Sequence, residues 1–148
     1  MRPSIVSPIY KSIVRYVTEA IEEINSLGVF KEVMFHDFES RNDENALPRT
    51  TLLGIDGFSF SENLGLWIVR FALALSSYND MNLHEEIELL DEIQKRFGQG
   101  QKINLLNMQD GSVNNEMVIT DFEIMPMVQS ELRNYRVIGL EIKRTGAD

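Results

Sequence analysis

The sequence predicts an α+β domain: a mixed, mainly antiparallel sheet with two helices packed on one face. Two stretches, residues 8–27 and 83–97, carry apolar residues at helical spacing. The other patterned stretches alternate or are rich in β-branched and aromatic residues, as strands are. The order is helix, strands, helix, strands, so helices do not alternate with single strands and a doubly wound parallel sheet is disfavoured.

Residues 1–7 read as an extended arm, because Pro3 and Pro8 each discourage helix in the residue before them. Ser7 is then the N-cap of the first helix, with Pro8 at the first helical position, where its missing N–H costs nothing. Ile9, Ile13, Val14, Val17, Ile21, Ile24 and Leu27 form the apolar stripe, and Gly28 comes next as the terminator. The outer face carries Lys11 and Arg15 early and Glu19, Glu22 and Glu23 late. That order opposes the helix dipole, and an Arg15–Glu19 pair recovers part of the cost. Solvent exposure is the simpler reading of these charges, and a partner subunit the sharper one.

Phe30–Phe38 is aromatic-rich and reads as a strand. Residues 39–50 are a polar loop without periodicity, and loops of this length in compact domains are commonly functional or disordered. The run TTLLGI is a short strand closed by a turn at Asp56-Gly57. Leu64–Tyr78 alternates. Trp67, Val69, Phe71, Leu73 and Leu75 face the core, and Leu66, Ile68, Arg70, Ala72 and Ala74 face another layer or a neighbouring chain. Asn82 caps the second helix, with Glu85 three residues on. Its stripe is Leu83, Ile87, Leu90, Ile93 and Phe97, and Gly98 ends it. INLL is a short strand and QDGSVNN a turn. MVITDFEIM and YRVIGLEIKR form a closing hairpin through PMVQSELRN. Residues 145–148 are a polar tail, and the whole chain, 1–148, is one domain.

The core prediction is that Trp67, Phe71, Ile13, Val17, Ile21, Leu90 and Ile93 are buried.

Composition excludes several classes. With no cysteine among 148 residues, no disulfide, thiolate nucleophile or Cys-ligated zinc can form. Acidic side chains number 23 against 14 basic ones, for a formal charge of −9. That balance argues against broad nucleic-acid or anionic-membrane binding. No apolar stretch approaches the roughly 20 residues of a membrane span. The start MRPSIVSP lacks a sustained apolar core, so no signal peptide is expected.

Little in the chain points to catalysis. His36 stands beside Asp37 in a strand. His84 and Glu88 share a helix face at metal-ligand spacing, but zinc needs three or four ligands and no third is near in sequence. Asp121 followed by Glu141-Ile142-Lys143 is the skeleton of a metal-dependent nuclease site, in which carboxylates hold Mg²⁺ and the lysine offsets phosphate charge. Ile119-Thr120 stand where such sites usually have a flanking Pro-Asp. No nucleophile elbow, phosphate-binding glycine loop or dinucleotide fingerprint is present. Gly98-Gln99-Gly100 comes after a helix, so it reads as a cap and turn rather than a phosphate cradle. Among seven methionines, Met125 and Met127 flank Pro126. Core filling is their default role and an adaptable interface at 124–128 the second. No metal or cofactor is expected.

The layout resembles the tail terminator (tail-completion) proteins of long-tailed bacteriophages, the lambda-type family and its contractile-tail relatives. The similarity runs over most of the chain. It comprises the helix Ile9–Leu27, the strand Val33–Phe38, an irregular loop ending in Leu47-Pro48-Arg49, the Trp-bearing strand Leu64–Tyr78, the helix Leu83–Phe97, and the hairpin MVITDFEIMPM…NYRVIGLEIKR. The resemblance implies a non-enzymatic virion protein of the tail–neck junction, assembled in the host cytoplasm. It implies a homo-oligomeric, hexameric ring on the head-proximal end of the tail tube, which ends tube polymerisation and docks the neck or connector proteins. DNA would pass through the lumen without specific binding. On this reading the expected subunit and tube contacts are Arg41, Asp43, Glu44, Leu47, Pro48 and Arg49 in the long loop, Phe58 and Phe60 in the 56–63 turn, and Met125 and Met127. The rivals are a head–tail connector or sheath-stabilising neck protein, a small nuclease using Asp121, Glu141 and Lys143, and a generic binding module.

Overall fold

A computed structural model describes residues 5–30, 32–35, 51–78, 83–106, 113–129 and 133–145. The elements are α1 (Val6–Ser26), β1 (Val33–Phe35), β2 (Thr51–Asn63), β3 (Leu66–Tyr78), α2 (Leu83–Phe97), β4 (Lys102–Leu106), β5 (Val113–Ile124), β6 (Val128–Gln129) and β7 (Arg133–Thr145). One sheet runs in the order β1-β2-β3-β7-β5-β4, with β6 also on β7. Among the described residues only β1 and β2 pair in parallel, so the sheet is mixed and mainly antiparallel, and the class is α+β.

The strands β1 and β4 lie at opposite ends of the sheet order, yet both pack against α1. The sheet therefore curls, and α1 bridges its two ends. Strand twist and bulges supply the curl. Ile9, Ile13, Val17, Ile21 and Ile24 of α1 are buried against Val69, Phe71, Leu73, Leu75, Ile138, Leu140 and Ile142 in one core.

Helix α1 starts at Val6, two residues before Pro8, and no side chain caps it. Pro8 is tolerated because the first turn has no intrahelical use for its N–H. At the other end the reading holds: Gly28 takes φ +70° and donates its N–H to the Asn25 carbonyl oxygen at 3.2 Å. Asn25 also positions the first strand. Its Nδ2 donates to the Val33 carbonyl oxygen at 2.8 Å and its Oδ1 accepts the Val33 N–H at 2.9 Å. This two-point clamp starts β1 at Val33 rather than at Phe30.

The Asp56-Gly57 turn is not a turn. β2 runs on to Asn63, and Gly57-Phe58 together oppose Phe71 between the pairs Asp56↔Ala72 and Ser59↔Arg70. Gly57 has φ +66°, so this is a bulge with glycine in the left-handed position. The bulge puts Phe58 onto Phe71, with centroids 5.3 Å apart, and Phe60 and Tyr10 extend the stack at 5.7 and 5.0 Å from Phe58. The actual hairpin turn is Leu64-Gly65, both at positive φ (49° and 81°), the geometry of a two-residue primed turn. Strand β3 therefore begins at Leu66 and not at Leu64.

Six of the seven predicted core residues are buried, and Trp67 is only partly so. It sits at the end of the sheet, close to the Leu64-Gly65 turn. The apolar stripe of α2 is also displaced. Its buried face is Glu86, Leu89, Leu90, Ile93 and Phe97, while Leu83 and Ile87 are exposed. The reason is Arg136 on β7, whose Nε lies 2.6 Å from Glu86 Oε1 with both side chains largely buried. A charged residue thus holds an inward position and turns Leu83 and Ile87 out. The QDGSVNN stretch is shorter than a seven-residue turn, since Val113–Asn115 already belong to β5. The polar tail is likewise shorter by one residue, because β7 pairs as far as Thr145, opposite Leu66.

Two substitutions check these assignments. Leu64→Asn should stabilise the chain by about 0.5–1 kcal/mol, because a left-handed leucine is replaced by a residue that tolerates the conformation. A lower midpoint in urea would contradict the turn assignment. Arg136→Met should cost about 3–5 kcal/mol, since Glu86 is left buried without its cation. A loss under about 1 kcal/mol would mean that the pair does not orient α2.

Candidate functional site

The face of the sheet turned away from the main core is built by register. Ser59, Arg70, Glu141 and Asp121 form one row across β2, β3, β7 and β5. The next row along this face in one direction is Asp56, Ala72, Gly139 and Glu123, and in the other Ser61, Ile68, Lys143 and Val118. Direct cross-strand partners share a face, so these side chains stand together.

The chemistry of the row is already committed. Arg70 lies 3.1 Å from Glu141 Oε2, the Thr120 hydroxyl donates to Glu141 Oε1 at 2.9 Å, and Lys143 Nζ is 3.9 Å from the same oxygen. Asp121 Oδ1 accepts the N–H of Phe122 at 3.0 Å. Register brings Asp121 and Glu141 together as the nuclease reading requires. It also sets Arg70 beside them, a cation that the D…E-x-K spacing did not reveal because it comes from β3. Among the described residues, no group of three or more His, Asp or Glu side chains is placed to hold a metal ion. His84 and Glu88 form an exposed pair 3.1 Å apart.

At the β5–β6 bend the surface is apolar. Ile124, Met125, Met127 and Val128 are all exposed, and so is Val137 on the adjacent strand. The bend is held in place. The Met125 N–H donates to the Val137 carbonyl oxygen, Arg136 donates to the Met125 carbonyl oxygen, both at 2.9 Å, and β6 pairs Val128 with Tyr135. Sequence reasoning singles out the segment 124–128, with Met125 and Met127 at its centre, and misses Val137. The outward place of Val137 is readable in the alternation with buried Ile138. Of the other expected contacts, Phe58 and Phe60 are partly buried in the aromatic stack. Arg41, Asp43, Glu44, Leu47, Pro48 and Arg49 lie outside the described residues, as do His36, Asp37 and Asn82.

An open cleft of about 460 Å³ separates α1 from α2, lined by Tyr16, Glu19, Glu23, Glu92, Lys95 and Arg96 among others. Arg96 ties the helices together. Its carbonyl oxygen accepts the Tyr16 hydroxyl at 2.6 Å, and its guanidinium meets Glu92 at 3.2 Å and Glu23 at 3.4 Å. Burial, reinforced by Glu23 and opposed by Arg96, holds the Tyr16 phenol above its ordinary range. Arg15 and Glu19 pair on the outer face of α1 at 3.1 Å, as the spacing predicts.

The chain matches no protein-family model, and no curated protein matches it. Among the described residues, no helix is long and apolar enough to cross a membrane.

Tyr16 gives a pH test. A phenol raised in the folded state contributes stability that is full below the ordinary tyrosine value of about 10 and is lost as pH rises through the folded value. Tyr16→Phe should cost about 1 kcal/mol near neutrality, and its deficit against the parent should shrink above about pH 10. A deficit that stays constant with pH would contradict the buried-phenol assignment.

Proposed function

We propose that this chain is a structural assembly protein of the tail terminator type. Copies form a ring on the head-proximal end of a phage tail tube, end tube growth and present a docking surface to the neck. The observation that carries this reading is the fixed apolar bend Ile124–Val128 with Val137, a contiguous exposed patch held by backbone hydrogen bonds. Exposed apolar patches of this kind mark association surfaces, and the methionines adapt to an irregular partner. The resemblance in element order names the assembly. The chain's −9 charge suits a lumen along which DNA slides, since like charges repel. In this reading one ring face copies the tube-subunit interface and the other lacks it, so further subunits cannot add.

The rival nuclease reading is weakened by Glu141, both of whose carboxylate oxygens are engaged by Arg70, Thr120 and Lys143. A metal would have to displace these partners.

Native mass spectrometry across a concentration series tests the proposal. The expected species is a closed ring of about six chains that dissociates when Met125 and Val128 are both changed to Ser, a heterologous interface closing on itself. A chain that stays single at every concentration, or magnesium-dependent DNA nicking that disappears in Glu141→Gln, would overturn it.

A further inference from the structure

The sheet ends in a buried cation. Arg144 is the last residue but one of β7, lies directly across from Trp67 on β3, and is only 4 % exposed. Its position in the alternation, two residues beyond Ile142, puts it on the core face. Its Nε is buried and makes no hydrogen bond, and among the described residues no carboxylate pairs with its guanidinium. Glu62 is the acid of its row, but Trp67 stands between them. Burial pulls the Arg144 guanidinium below its ordinary range, the signature of a charge desolvated without compensation.

Such a group is costly in an isolated chain. Removing a guanidinium from water is repaid only by a partner of good geometry, and arginine's fork fits a carboxylate with two parallel hydrogen bonds. The other buried arginines have partners. Arg136 meets Glu86, and Arg133 donates to the Ser76 hydroxyl at 2.6 Å and to the Ser76 carbonyl oxygen at 2.9 Å.

We infer that Arg144 is the receptor for a carboxylate carried by a second copy of this chain, completing its pairing only in the assembled protein. The inference rests on the ring reading above. Charge complementarity favours a second copy, because on the opposite face of the same sheet Asp56 and Glu123 are exposed and form no ion pair among the described residues. Ala72 and Gly139 alone stand between them in their row, so a neighbour's sheet end can approach closely. Receptor and donor then lie on different surfaces of one chain. A contact of that kind is head-to-tail, the kind that closes into rings. Trp67, half-buried beside Arg144, covers the pair from water once the neighbour is seated.

The experiment compares the parent chain with Arg144→Met and Arg144→Gln by thermal melting at dilute concentration and by native mass spectrometry across a concentration series. Methionine keeps the apolar stem and removes the charge, so the dilute chain should melt no lower than the parent. Its self-association should fall about tenfold or more, the loss of one charge-assisted pair. Glutamine, polar but uncharged, should show the same loss of association and guards against a packing artefact of methionine. Variants that assemble within about twofold of a ring-forming parent overturn this inference and leave the ring reading standing. A parent that never associates overturns both.

Discussion

Helix α1 is the element that closes the fold, because among the described residues it spans from β1 and β2 at one end of the sheet to β4 at the other. A six-strand path of this length would otherwise leave its inner face open. Its stripe of Ile9, Ile13, Val17, Ile21 and Ile24 is fully or almost fully buried, and each such side chain is worth roughly 1.5–3 kcal/mol of transfer free energy before entropy is charged. The clamp from Asn25 to Val33 then ties the end of that helix to the first strand, so the parallel β1–β2 pair is placed by α1 rather than by a hairpin.

Helix α2 is positioned differently. Its inward face mixes Leu89, Leu90, Ile93 and Phe97 with Glu86, and the Glu86–Arg136 contact sets its rotation. A second tie runs from Tyr16 and Glu23 of α1 to Arg96. Polar contacts thus fix the orientation of surfaces whose apolar packing alone would tolerate several. Across the far face of the sheet, Arg70 and Lys143 both engage the single carboxylate of Glu141. The bend at Met125–Met127, fixed through its backbone, keeps its apolar side chains exposed.

The fold class and most of the core are legible in the sequence because they rest on periodicity. Ile13, Val17, Phe71, Leu90 and Ile93 obey the helix or strand repeat and are buried. Sequence and structure part where a local signal has two structural uses. Asp-Gly makes a hairpin turn or a bulge, and only the partner strand decides. Leu-Gly is a poor hairpin signal, so the turn at Leu64-Gly65 has no clear mark in the sequence. Glu86 reads as a surface residue until Arg136, 50 positions away, is brought beside it. The candidate site is half legible. Met125 and Met127 stand out by composition, whereas Val137 and Arg70 join their surroundings through strand register, which no single stretch of chain encodes.

Native-state hydrogen exchange tests the closing role of α1 most directly. If α1 holds both ends of the sheet, the amides of Ile13–Ile24 exchange only through the global opening, with the same free energy as those of β3 and β7 and the same denaturant dependence. Exchange of α1 through a separate opening of lower free energy, with β1 and β4 retaining full protection, would contradict that account.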